Sequence, residues 1–160
     1  MFRRFLLMAV AVLLMTSCAS DSEPEGPQPL SIALHFVAQA GVNPGSTGEP
    51  APVRVRIYEL KNDASFLRVD YFSLVERSQA VLDADLVDQG EALIHPGEQK
   101  IIGRTLHPDT VYVGLAVAYR DIDNAQWRTV LTVLPQQANA FLINLDALGV
   151  RSDAALNLDQ

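Results

Sequence analysis

TVYVGLAVAYR, residues 110–120, alternates without interruption: Val111, Val113, Leu115 and Val117 fall on one side of an extended chain, and Tyr112, Gly114, Ala116 and Ala118 on the other. A period of two marks a β-strand. The first face is bulky and apolar, as a sandwich core requires. The second is small enough for another element to lie close against it, which predicts a central strand with a further layer on its outer side.

Working outward, WRTVLTVL (127–134) and NAFLINL (139–145) follow as strands, joined by the turn residues Pro135-Gln136-Gln137. Upstream, QKIIGRTL (99–106) and EALIH (91–95) flank Pro96-Gly97 as a second pair. Between residues 70 and 88 the period changes. Tyr71, Leu74, Val75, Leu82 and Leu86 lie near helical spacing, with Asp70 and Ser78 as N-cap residues, so one or two short helices interrupt the strands. Before them, VRVRIYEL places Val53, Val55 and Ile57 on a dry face and Arg54, Arg56 and Tyr58 on a wet one. LSIALHFV sets Leu30, Ile32, Leu34 and Phe36 against Ser31, Ala33, His35 and Val37. About seven or eight short strands with turn signals between them predict an all-β, two-sheet β-sandwich over residues 30–148, with a short helical insertion near 70–88. Residues 149–160 read as a C-terminal tail.

QAGVNPGSTGEPAP, residues 39–52, separates the first two strands and is dense in Gly and Pro. A connection longer than about 12 residues is usually functional or disordered, and composition leaves both readings open.

The N-terminus, MFRRFLLMAVAVLLMTSC, carries Arg3 and Arg4, an apolar run from Phe5 to Met15, and then the only cysteine, Cys18. Spanning a bilayer takes about 20 apolar residues, so this run reads as a cleaved export signal (residues 1–17) ending at a lipidation site. Met15 stands where Leu is usual in that signal. Diacylglycerol and N-acyl chains on Cys18 supply the two or more chains that stable anchoring takes. With Ala19 and Ser20 after the cysteine and no Asp, the expected location is the periplasmic face of the outer membrane. Residues 18–29 hold three prolines and three acids and almost nothing apolar, and read as a tether reaching up to about 35 Å when extended.

The whole chain has 12 basic and 19 acidic residues; loss of Arg3 and Arg4 with the signal leaves ten bases against nineteen acids. No basic patch is available for phosphate, so the composition argues against nucleic-acid binding. Chemistry is sparse as well. His35, His95 and His107 are not spaced as metal ligands, and His95 and His107 precede prolines at turns. Asp83, Asp85 and Asp88 lack the glycine and distal Glu of a calcium loop and read as a solvated face; Asp121, Asp123 and Asn124 read as a hairpin turn. No Gly-x-Ser-x-Gly or phosphate-cradling loop occurs. Trp127 beside Arg128 reads as core packing before a binding aromatic, and Tyr71-Phe72 as the apolar foot of a helix.

In order along the chain, the lipidation signal ending at Cys18, Asn43-Pro44 leading into PVRVRIYELK, Phe66, DYFSL from Asp70, VLDADLV, HPGE at 95–98 and GLAVAYRDIDNAQWR (114–128) resemble the TssJ family, the outer-membrane lipoproteins of type VI secretion. The resemblance implies a transthyretin-like sandwich, no enzymatic activity and no cofactor. It also implies a partner: the periplasmic C-terminal region of TssM in a TssJ-TssL-TssM complex, bound by an otherwise monomeric domain through the loop between the first two strands. Carried onto this chain, that contact comprises Ala40, Gly41, Val42, Asn43, Pro44, Gly45, Ser46, Thr47, Gly48 and Glu49, with Asn43 and Pro44 shaping it and Glu49 available to a basic surface. Two other classes stay open. A carbohydrate-binding or inhibitor module would gather Trp127, Tyr112 and Tyr58 on one sheet face, and a transthyretin-type hydrolase would gather the three histidines.

Overall fold

The computed structural model describes residues 29–154. The expected signal, Cys18 and all but the last residue of the expected tether lie outside the described residues, as do residues 155–160. The chain forms β1 (Ser31–Ala38), β2 (Val53–Leu60), helices α1 (Ala64–Arg68) and α2 (Tyr71–Leu82), a 3-10 turn (Asp83–Asp85), then β3 (Leu86–Ile94), β4 (Gln99–Thr105), β5 (Tyr112–Val117), β6 (Arg128–Thr132), β7 (Asn139–Leu145) and β8 (Val150–Ala154). Two four-stranded sheets, β4-β1-β7-β8 and β3-β2-β5-β6, face one another in a transthyretin-like sandwich with a short helical insertion. Every neighbouring pair is antiparallel except β1 and β7.

The alternation that singled out residues 110–120 explains the layering. Val113, Leu115 and Val117 meet Ile32, Leu34, Phe36, Val55, Ile57 and Ile143 in the core between the sheets. Each such side chain contributes about 1.5–3 kcal/mol by leaving water. On the opposite face of β5, Ala116 joins Tyr58, Leu60, Phe66, Leu74 and Leu82 in a second cluster under the helices. A Cβ at Gly114 would sit 2.8 Å from the Phe66 ring, so the missing side chain is what lets α1 lie flat on the sheet.

Helix α2 starts as its sequence predicts: the Asp70 carboxylate accepts the Ser73 N–H at 2.9 Å, and Leu74, Ser78 and Leu82 recur on its buried side. The second expected cap, Ser78, follows a break at Arg77 (φ −136°, ψ 36°), but its hydroxyl donates to Gln89 Oε1 at 2.9 Å instead of capping.

Two boundaries and the burial of two side chains differ from expectation. The insertion runs from 64 to 85 rather than 70 to 88, because Leu86 and Asp88 already pair with Leu60 and Glu59. Tyr58 is fully buried rather than wet, since the helices cover that face. Val111 is 44% exposed, beyond the start of β5. The expected tail opens with β8, which pairs with β7 from Leu145↔Val150 to Phe141↔Ala154.

Strand directions give the sandwich two ends. The chain enters beside Leu30, at the end that also holds the 106–111 and 133–138 connections. The opposite end collects residues 39–52, 95–98, 118–127 and 146–149. No helix among the described residues is long and apolar enough to cross a membrane.

Candidate functional site

The long connection between β1 and β2 folds into a pinned stem and an open tip. In the stem, Val42 is fully buried in the main core. Asn43 is 3% exposed with φ +52°, a left-handed conformation that Asn tolerates better than most residues. Its amide nitrogen donates to the Pro52 carbonyl (3.0 Å), its amide oxygen accepts the Arg120 N–H (2.7 Å), and its backbone N–H donates to the Ala147 carbonyl (3.0 Å). One residue therefore ties together the 39–52, 118–127 and 146–149 segments. Gln39 adds a second tie: its carbonyl accepts the Gly97 N–H, and its side-chain amide donates to Asp146 Oδ1 at 2.6 Å.

The tip is closed by Gly45 N–H to the Glu49 carbonyl (2.8 Å) and Gly48 N–H to the Gly45 carbonyl (3.0 Å), with Gly48 at φ +87°, a conformation that favours glycine. The Glu49 carboxylate accepts from the Thr47 hydroxyl and, at 3.3 Å, from Arg120 Nη1. The Thr47 bond, followed by the Glu49 backbone N–H and then the Arg120 charge, holds that carboxyl below its ordinary 4.5. Both members of the Glu49–Arg120 pair are about half exposed, so the pair positions more than it stabilises.

The ten residues nominated from sequence thus divide by burial. Val42 and Asn43 point inward, Pro44 and Gly45 are half-buried, and Ala40, Gly41, Ser46, Thr47, Gly48 and Glu49 are exposed. Asn43 shapes the loop, and Glu49 already has partners within the domain. Arg120 and Gln39 had no sequence signal, since their partners lie 71 and 107 residues away.

The remaining candidates scatter. His35 is half-buried on β1, His95 lies in the turn after β3, and the His107 ring accepts the Asp109 N–H at 3.1 Å. Asp85 accepts from the Ser65 hydroxyl, Asp88 pairs with Arg104, and both Asp121 oxygens accept from the Asn124 amide, closing the expected turn. Among the described residues no three His, Cys, Asp or Glu side chains are grouped to hold a metal. Tyr58 is buried and Tyr112 half-buried beneath the helices. Trp127 stacks edge-on with Tyr71 (5.3 Å) under the Arg128 guanidinium (4.5 Å), so these rings form no open platform. Among the described residues the arrangement presents a shaped loop, and the three histidines stay apart on β1 and in two separate turns.

A family model described as T6SS-SciN, type VI secretion lipoprotein (VasD, EvfM, TssJ), matches residues 30–148. The crystal structure of the T6SS lipoprotein TssJ1 from Pseudomonas aeruginosa is 41% identical, with a TM-score of 0.77, over 81% of this chain and 98% of that one. Serratia marcescens Lip, a membrane-bound component of the type VI secretion system, is 27% identical (TM-score 0.72; 78% and 98% covered). A chain in a structure described as the T6SS protein TssM C-terminal domain (869–1107) from EAEC is 25% identical (TM-score 0.64; 79% and 99% covered). No curated protein sequence matches.

Proposed function

The chain belongs to the TssJ family of type VI secretion lipoproteins, components of the secretion membrane complex rather than enzymes, and from that premise we propose how it works. Acyl chains on Cys18 hold it at the periplasmic face of the outer membrane. The tether gives it reach, and the tip from Gly45 to Pro50 binds the periplasmic C-terminal region of TssM within a TssJ-TssL-TssM assembly.

The observation that carries this reading is the placement of the loop. The described chain begins at one end of β1 and the 39–52 loop leaves from the other, so the tip points away from the side on which the tether enters. The loop is also pre-shaped by Asn43, which lowers the ordering cost of binding. The TssM-described structure supports the choice of partner: four-fifths of this 160-residue chain spans nearly all of the matched chain, which is therefore shorter than the residues 869–1107 that its description names. On our reading, a domain of this kind accompanies TssM there.

The test is calorimetry of the full-length lipoprotein in detergent against the TssM periplasmic region from the same organism. Gly45–Glu49 are replaced by a two-residue turn, and Val42 and Asn43 are retained because they hold the fold. Loss of binding with unchanged thermal unfolding is expected. Unchanged affinity would place the contact elsewhere.

A further inference from the structure

Of the ten basic side chains among the described residues, Arg54, Lys61, Lys100, Arg104, Arg120 and Arg151 each lie within 4 Å of a carboxylate. The four that do not, Arg56, Arg68, Arg77 and Arg128, all belong to the helices or to the strands beneath them. In a chain with net charge −7, unpaired arginines collected on one side run against the composition. Two of them serve the interior. Arg56 donates to the Val75 carbonyl, and Arg128 donates to the carbonyls of Phe66 (2.9 Å) and Val69 (2.7 Å).

Arg68, the last residue of α1, and Arg77, two turns into α2 at its break, are both exposed. Arg77 Nη2 donates to the Ser73 hydroxyl at 3.1 Å, which turns its guanidinium back toward the first turn of α2. The corner between α1 and α2 exposes Leu67 (45%) and Phe72 (58%). The acid between them, Asp70, is engaged in capping Ser73, a bond that holds its carboxyl below the ordinary value. Through Arg128, and through the Tyr71–Trp127 contact at 5.3 Å, this corner adjoins the 118–127 segment of the loop end.

We propose that the α1–α2 corner is a second docking surface continuous with the loop end, taking an acidic polypeptide segment whose apolar side chain covers Leu67 and Phe72 and whose carboxylates meet Arg68 and Arg77. The segment belongs to the TssM region that the loop tip binds, and to that extent the inference rests on the proposed function. Stable interfaces bury about 800 Å² on each partner, more than a tip of six residues supplies, so the same partner needs further surface. A polypeptide fits better than an anionic membrane. The exposed acid Glu76 on α2, with the overall negative charge, opposes an extended anionic plane, whereas a peptide places carboxylates only where arginines stand.

The experiment measures kinetics of the full-length lipoprotein on the TssM region for wild type, R68E/R77E, L67S/F72S and the loop-tip replacement, with thermal unfolding of each and R68Q/R77Q in reserve should the reversal misfold. The charge reversal is expected to weaken binding at low salt about tenfold, mainly by slowing association, and to flatten its salt dependence. L67S/F72S is expected to speed dissociation about tenfold. Wild-type affinity and salt dependence in both corner variants, with binding lost in the tip replacement, would overturn the corner and leave the loop reading standing. Weakening by the corner variants alone would support the corner and remove the loop. A wild type that does not bind TssM overturns both. Corner variants that lose only binding to phosphatidylglycerol vesicles would mark a membrane face and overturn the inference.

Discussion

At the loop end a neutral amide, Asn43, bonds the Pro52 carbonyl and the Arg120 N–H; at the opposite end, beside Leu30, a carboxylate, Glu59, is 1% exposed and accepts from Arg104 Nη2 (3.1 Å), the His107 N–H (3.0 Å) and the Thr110 hydroxyl (2.9 Å). Each is a single buried polar side chain joining segments distant in sequence, but the two differ in charge and in what they hold. Glu59, through Arg104 and on to Asp88, ties β2 to the edge strands of both sheets, next to β1, where the described chain begins. Asn43 ties loops to one another and leaves their tips in solvent. A buried ion pair resists loss of either partner strongly, whereas a neutral amide fixes shape at lower electrostatic stake. The end at which the described chain begins is thus held by a buried ion pair, and the loop end by a neutral amide.

The largest expected effect comes from Glu59→Ala. It leaves Arg104 without its buried partner and two donors unsatisfied, and should cost about 3–5 kcal/mol in urea unfolding. A loss below about 1 kcal/mol would make the two ends alike. Gly114→Ala belongs to neither end and calibrates the scale: its Cβ meets the Phe66 ring at 2.8 Å, so about 1–3 kcal/mol is expected, with hydrogen exchange rising first in α1 and α2. Asn43→Ala should cost about 2 kcal/mol by orphaning the Arg120 N–H and Pro52 carbonyl, with exchange rising at 39–52 and 118–127 but not around Leu30. Asn43→Gly keeps the left-handed backbone and loses the same bonds, so the difference between the two variants isolates the backbone contribution.

Acid gives the smallest effect. Glu49 and Glu98 are both held below 4.5, by the Thr47 hydroxyl and by the His95 N–H respectively, each with further help from neighbouring charge. A depressed carboxylate adds stability that is full above its unfolded value and disappears as pH falls through the lower folded value. Lowering pH from 5 toward 3 should therefore loosen the tip and the 95–98 turn, followed by NMR of Thr47 and His95. Thr47→Ala should move the Glu49 midpoint upward; an unmoved midpoint would remove Thr47 from the account.

What was legible in the sequence was local or periodic. The two faces of residues 110–120 gave both the core and the close approach of a helix, because alternation and small size act where they are written. The Asp70 cap is bonded three residues on, and NAFLINL starts and stops as β7 does. Glu59 was not legible: an acid near a strand end looks solvated until Arg104 and Thr110, 45 and 51 residues away, arrive beside it. Tyr58 looked wet because the cover over it comes from a separate element. β8 went unread because VRSDA is five residues long and mostly polar, and takes its order from β7. At the candidate site, the loop's existence and the shaping part of Asn43 were readable, whereas the inward turn of Val42 and the engagement of Glu49 depend on long-range packing.

β1 is flanked on both sides, by β4 and by β7, with seven residues in register on each. A load between the point where the chain enters and the loop beyond Ala38 runs lengthwise along this strand. Such a pull runs along the covalent backbone of β1, and the two ladders keep that strand extended within its sheet, with no free edge from which rungs could be peeled singly. The strand that connects the point of entry with the loop is thereby the one best placed to carry force.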